Sequence, residues 1–272
     1  MTPAKAPAND PIDAVYTWAG GDQVVLRSAI RSLHKCAPWI RKVYVVTAAP
    51  APAWLSGSHP RLSLVRHEDL FRDRSVLPTS NPDGIAWQLF RIPGLARQFL
   101  HFDHNFFLGR RLEPADFRTP KGGNRFYVEA SDIPPGSVAE SLLNARFGSR
   151  SPRKKLVHMP RFLDRNFLEE VHRLWEKHIK QTAAHREPQP DDVSMETLYF
   201  YYLVESPLQY GAHEKAVVTP EIFRRAPLSD AKQVAGMLFS SPQFFCLDGA
   251  GPGLGTRLIL KLFYWRRSAF EK

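Results

Sequence analysis

The chain has 272 residues, 43% of them hydrophobic and 12% aromatic, which is enough to bury a full core and too apolar for an intrinsically disordered protein. Lys and Arg outnumber Asp and Glu by 37 to 27, and the formal charge of +10 favours anionic partners such as nucleotides, acidic glycans, anionic lipid headgroups or nucleic acid. No apolar run approaches the ~20 residues that cross a bilayer, and the N-terminal MTPAKAPANDP lacks the apolar core of a signal peptide, so a cytoplasmic protein is expected.

Cys36 and Cys246 are far apart, lie in apolar contexts and show no metal-binding spacing, so both read as small buried residues of a reducing compartment. Residues 1–10, rich in Pro, Ala and Asn, read as a mobile tail. The remainder, 11–272, reads as a single α/β domain with a sheet-rich half, 11–133, and a helix-rich half, 134–272.

Ile12 to Trp18 is rich in β-formers and runs into Gly20-Gly21-Asp22, a strand followed by a turn. Val24 to Cys36 carries Val25, Ile30 and Leu33 at helical spacing, with Arg27 and Arg31 at i and i+4 on one face. A helix after the first strand's turn is a common place for a diphosphate, although a solvated charged face has the same spelling. Lys42 to Ala48 is a second strand and Arg61 to Val65 a short third, which is βαβ grammar. A breaker-rich loop, Leu77 to Asp83, precedes a predicted helix over Gly84 to Phe99 interrupted at Pro93.

FLHFDHNFFLG, Phe99 to Gly109, is an apolar run broken by Asp103, His104 and Asn105. It reads as a buried strand presenting polar side chains at its C-terminal end, where open α/β sheets hold ligands. A carboxylate there suits a hard cation held against a phosphate, and the bland alternative is a polar turn.

A polar link, Phe117 to Gly123, leads to a strand over Arg125 to Ala130; beyond Pro134-Pro135, Ser137 to Phe147 reads as helix and Arg153 to Lys155 as a basic loop before His158-Met159-Pro160. Asp164 to Thr182 reads as one amphipathic helix with Phe167, Val171, Leu174, Trp175 and Ile179 as its stripe. His172 and His178 are expected to be surface or packed residues. Asp191-Asp192 supplies an N-capping end for a helix over Val193 to Glu205. A weak strand near Ala216 to Thr219 and a late strand over Pro242 to Leu247 follow. Arg257 to Arg267 is a short apolar and basic helix that either packs on the body or attaches peripherally to an anionic membrane.

The order of IDAVYTW and its Gly-Asp turn, LRSAIRSLHKCAPWIRKVYVVT, RHEDLF, LPT, RIPGL, HFDHNFFLGR, LVHMPRFLDR, HREPQPDDVSMETLYFYYL and FFCLDG resembles the Stealth family of sugar-phosphate transferases. That family includes bacterial capsular and exopolysaccharide phosphotransferases and the catalytic subunit of the lysosomal N-acetylglucosamine-1-phosphotransferase. The resemblance implies a Rossmann-like, glycosyltransferase-like sheet, a nucleotide-sugar donor, and transfer of a sugar 1-phosphate to a hydroxyl of a glycan acceptor in capsule, exopolysaccharide or cell-wall synthesis. It also implies a divalent cation, Mg or Mn, while the scattered basic residues, with no recognised motif or aromatic-basic platform, argue against a nucleic-acid partner. By position it assigns His158, Asp103 and Arg186 to catalysis, Asp22, Arg27, Arg31 and Arg91 to the donor, and Asp103, Asn105 and Asp248 to the metal.

Several polar positions depart from the family pattern: Asp103-His104-Asn105 stands where Asn-Asp-Asp is usual, and Asp248-Gly249 where Asn-Asp is usual. Retained packing with altered polar residues suits a divergent enzyme with rearranged ligands. It equally suits a relative that binds nucleotide sugar or glycan and supports an active enzyme.

Overall fold

A computed structural model describes residues 10–121, 123–149, 152–206, 213–249 and 251–272, so the tail expected over residues 1–10 lies outside the described residues apart from Asp10. The chain runs β1 (Ile12–Thr17), α1 (Gln23–Cys36), β2 (Val43–Thr47), β3 (Leu62–Arg66), α2 (His67–Leu70), α3 (Pro82–Ala86), β4 (Gln98–Asp103) and β5 (Phe106–Leu108). It continues through β6 (Arg125–Asp132), α4 (Val138–Phe147), β7 (Lys154–Leu156), β8 (Arg161–Asp164), α5 (Arg165–Leu174), α6 (Glu176–Ala184) and α7 (Met195–Glu205). The last elements are β9 (Glu214–Val217), β10 (Phe223–Pro227), α8 (Ala231–Ser240), β11 (Phe244–Asp248) and α9 (Leu254–Phe263).

The main sheet has the order β3-β2-β1-β4-β8, parallel except for β8, which runs antiparallel to β4. Side chains alternate between two cores, as a sheet covered on both faces requires. Ala14, Tyr16, Val43, Val45, Leu100 and Phe102 join α1 on one side. Val15, Tyr44, Val46 and Phe99 join α5, α6 and α7 on the other. A mixed sheet β10-β11-β5 and a sheet β7-β6-β9 complete the architecture. This is the Rossmann-like α/β fold that the βαβ grammar predicts.

The chain reverses direction in the sheet order between β1 and β4, and that switch point is where open α/β sheets leave a crevice at their strand ends. Thr17 and Asp103, the last residues of the two strands, are register partners there.

Several elements differ from expectation. The helix predicted over Gly84 to Phe99 is the short α3 and a 3₁₀ turn at Leu89–Arg91, with Phe99 already inside β4. Pro93 and Gly94, at φ +74°, close the helical path and turn the chain into the sheet. The predicted helix Asp164 to Thr182 is two helices that meet at Trp175, whose ψ of 33° breaks the α path, and Leu174 is exposed rather than part of the stripe. Ser194, not Asp191 or Asp192, caps α7. Asp192 instead braces its loop, accepting from His185 Nδ1 at 2.7 Å, Asn81 Nδ2 at 2.8 Å and Gln189 N at 2.7 Å. The basic segment Arg153 to Lys155 belongs partly to β7, and β8, β10 and α8 are elements without a sequence expectation. Among the described residues no helix is long and apolar enough to cross a membrane.

Candidate active site

β1 ends at Thr17, and the turn beyond it holds Gly20 and Gly21 at φ +100° and +99°, a left-handed backbone that side chains disfavour. Asp22 then caps α1, accepting from Val24 N at 2.8 Å. β4 ends at Asp103, and the chain reverses through His104 and Asn105. Phe106, Phe107 and Leu108, fully buried, draw it into the second sheet. The polar triplet is therefore a turn between two buried strands at the switch point.

Opposite this turn, the loop between β7 and β8 brings in His158, whose ring lies 5.1 Å from the Phe106 ring. Arg161 opens β8 and pairs in register with His101. Glu196 sits in the first turn of α7, where the helix N-terminus favours a carboxylate. Together with Pro82, Asp83, Ala86, Ser194 and Met195 these residues line a cleft of about 180 Å³.

The polar side chains form a closed ring of hydrogen bonds. Arg161 Nη2 lies 2.8 Å from His158 Nδ1 and Arg161 Nη1 lies 3.3 Å from His101 Nδ1. A guanidinium only donates, so both imidazoles accept at Nδ1 and carry their proton on Nε2. His158 Nε2 then donates to Asp103 Oδ2 at 3.0 Å, and His101 Nε2 donates to Thr17 Oγ1 at 3.3 Å. Thr17 passes its own proton to Asp103 Oδ1 at 2.9 Å. Arg161 is thus the double donor of the ring and Asp103 its double acceptor. Glu196 closes on Arg161 as an ion pair and stands 3.7 Å from His158 Nδ1.

Electrostatics agree with this polarity. Burial pushes the Asp103 carboxyl up, but the His158 hydrogen bond and the Arg161 charge outweigh it and hold the group well below the usual carboxylate range. Burial, aided by Arg161, lowers His101 to about 3, so it is neutral and able to accept. Burial likewise lowers His104.

The second sheet adds a flank. Asn105 Nδ2 donates to Leu247 O at 3.2 Å and to Asp248 Oδ1 at 3.4 Å. Arg225 of β10 donates to the His158 carbonyl at 3.1 Å and has Nη1 4.0 Å from Asp248 Oδ2.

Of the residues singled out by sequence, Asp103 and His158 meet directly, and Asn105 and Asp248 meet each other beside them. The remaining five are placed elsewhere. Arg27 and Arg31 both pair with Glu271, whose side chain is fully buried, and neither lines the cleft. Asp22 is paired with Arg257. Arg91 stacks on Phe90 and donates to Gln88, outside the cleft lining. Arg186 reaches Ser75 O at 3.1 Å on an exposed loop that does not line the cleft.

For a divalent cation the donor chemistry divides these residues. Asp103 accepts from Thr17 at one oxygen and from His158 at the other, which orients the His158 ring and leaves each oxygen a second lone pair for a cation. Asp248, about half exposed, and the amide oxygen of Asn105 are hard donors that fit Mg or Mn. His185, Asp191 and Asp192 also cluster within cation-binding distance, but Asp192 is occupied by the loop brace described above.

Thr17, His101, Arg161, Glu196 and Arg225 carry the site and had no sequence signal of their own. Arg161 and Glu196 fall inside LVHMPRFLDR and METLYFYYL, so the segment order contained them without marking their role.

The family model "Stealth protein CR2, conserved region 2" matches residues 21–126, and "Stealth protein CR3, conserved region 3" matches residues 157–205. Exopolysaccharide phosphotransferase SCO6023 of Streptomyces coelicolor is 32% identical, over 96% of this chain and 52% of its own length. An exopolysaccharide phosphotransferase of Nocardia farcinica is 34% identical over 84% and 47%, and CpsY of Mycobacterium tuberculosis 34% over 71% and 38%. The chain thus spans about half or less of the length of these relatives. Among solved structures, galactosyltransferase LgtC in complex with donor and acceptor sugar analogs superposes with a TM-score of 0.54 at 10% identity, covering 94% of this chain and 96% of that one. That likeness is one of fold. The two Stealth regions between them contain Asp103, His158, Arg161 and Glu196, and the chain belongs to the Stealth family.

Proposed function

We propose that this chain transfers a sugar 1-phosphate from a nucleoside diphosphate sugar to a hydroxyl of a polysaccharide acceptor. Three things support this reading: the Stealth regions, the names of the relatives and the hydrogen-bond ring at the sheet's switch point. The ring is the observation that carries it, because a histidine held between a carboxylate and an arginine is a base next to a phosphate ligand.

In this reading the acceptor hydroxyl oxygen attacks the β-phosphorus as the bond to the bridging oxygen breaks, and the nucleoside monophosphate leaves with that electron pair. The hydroxyl proton passes to Nδ1 of His158, and Asp103 at Nε2 stabilises the imidazolium that forms. Arg161 gives up its contact with Nδ1 and takes a phosphoryl oxygen, with Glu196 still paired to the guanidinium. Arg225, beside the His158 carbonyl, meets the diphosphate from the second sheet. These two arginines already balance Asp103 and Glu196, so the charge of a diphosphate calls for a further cation. Mg or Mn held by Asp248 and Asn105 would supply Lewis-acid stabilisation of the leaving group. The same reading has the enzyme working peripherally at the inner face of a membrane.

The test is release of nucleoside monophosphate by the purified chain across a panel of nucleotide sugars and glycan acceptors with Mg or Mn. Turnover that is lost in His158→Ala supports the proposal. Donor binding by calorimetry without turnover under any of these conditions would overturn it in favour of a binding protein.

A further inference from the structure

α9 packs one face on the body through Thr256, Leu260 and, just past its end, Tyr264, all buried. Its opposite face is also apolar. Leu254, Leu258 and Leu262 recur every four residues on one strip and are 87%, 63% and 67% exposed. Trp265, 67% exposed, extends the strip, and Phe239 at the end of α8, 77% exposed, borders it through an edge-on contact with Phe263 at 5.3 Å. Among the described residues, these five are most of the exposed large hydrophobic side chains in the molecule. Such concentration marks an interaction surface, since scattered exposure is the rule on soluble proteins.

Basic side chains rim the strip. Lys261, Arg266 and Arg267 are exposed beside it and Lys232 lies on α8, while neither helix contains an acidic residue. Long basic side chains flanking an apolar row let the row sink below a headgroup layer while their charges stay at the phosphates. A tryptophan at the end of the row suits the same boundary. The N-terminal end of α9 is tied to Asp22 through Arg257, and the chain reaches α9 directly from Asp248 at the candidate site. Five residues, 249–253, separate Asp248 from α9 in the chain.

We propose that the outward strip of α9, extended by Phe239 and Trp265 and rimmed by Lys261, Arg266 and Arg267, docks on an anionic lipid bilayer. The inference names the surface and the lipid class for the membrane-face placement proposed above, and it does not depend on the chemistry at His158. Sedimentation of the purified chain with phosphatidylglycerol-containing vesicles and with pure phosphatidylcholine vesicles tests it. Binding is expected to the first and not the second, to weaken as salt is raised, and to fall at least ~10-fold in Leu258→Gln/Leu262→Gln. Lys261→Gln/Arg266→Gln is expected to weaken binding to the anionic vesicles with an unchanged thermal transition. Absence of binding to either vesicle, equal binding to both, or binding unaffected by the leucine pair would overturn the proposal. So would a dimer that the leucine pair dissociates, because the strip would then be covered by a second copy. Nucleoside monophosphate release from a soluble acceptor is measured on the same variants, so a failure of docking is distinguishable from a failure of the catalytic reading.

Discussion

Arg161 Nη2 lies 2.8 Å from His158 Nδ1, and this contact sets the proton positions of the whole site. Because the guanidinium has no lone pair to offer, Nδ1 of His158 accepts and its Nε2 proton is aimed at Asp103. The free lone pair, which is the basic one, is the one Arg161 covers. In the proposed reaction, a phosphate that draws Arg161 away would uncover the base, so that binding and activation would be one event.

Asp103→Asn is expected to keep the fold and cut turnover by about 10²–10⁴-fold, because an amide facing Nε2 favours the wrong tautomer. Monophosphate release with and without the substitution, alongside the melting temperature, checks it. Loss of the fold with the activity would assign Asp103 to structure.

Arg161→Lys should raise the KM for donor by roughly 10-fold or more while leaving a folded protein. Lysine keeps the charge, but it cannot serve His158, His101 and a phosphate from one planar group. Steady-state kinetics at varied donor concentration separate this from an effect confined to kcat.

Glu271→Gln should cost about 3–5 kcal/mol of stability, the range for breaking a buried pair, with little change in donor KM. Burial raises the Glu271 carboxyl, but hydrogen bonds from Arg31, the Ser268 backbone and Arg27 bring it to about 2. Urea unfolding measures the loss. A large rise in donor KM with unchanged stability would return Arg27 and Arg31 to the donor site.

Acid should weaken the fold through its buried histidines. His101 is lowered by burial to about 3, and His172 and His213, also by burial, to about 4, against 6.5 for the unperturbed side chain. The unfolded chain therefore binds more protons than the native one between those values, and stability falls as pH drops from about 6.5 toward 4. Each such histidine contributes a slope of about 1.4 kcal/mol per pH unit in that window. Denaturant midpoints between pH 7 and 4 check the trend, and His101→Asn should reduce the slope.

β1 and β2 of the main sheet and β11 of the second were legible because they are largely apolar, β-forming runs, buried on both faces. β7 and β8 were not, since KKL and RFLD are short and their charged residues pair across space. The break at Trp175 was hidden because helical spacing continues across it. Asp103 and His158 could be located through the order of segments, but their partners could not. Thr17 and Asp103 are 86 residues apart in sequence, and Asn105 and Asp248 are 143 apart. Only the strand order brings such pairs together. Arg27 and Arg31 had the right spacing for a phosphate, and a carboxylate more than 200 residues away took both.

The most direct measurement uses a nucleotide sugar labelled with ³²P in its β-phosphate. A sugar-phosphate transferase breaks the α–β phosphoanhydride, so the label should move to the glycan as nucleoside monophosphate is released, and His158→Ala should abolish the transfer. A glycosyl transfer, which the shared fold also permits, leaves the label in released nucleoside diphosphate, and that result would contradict the account.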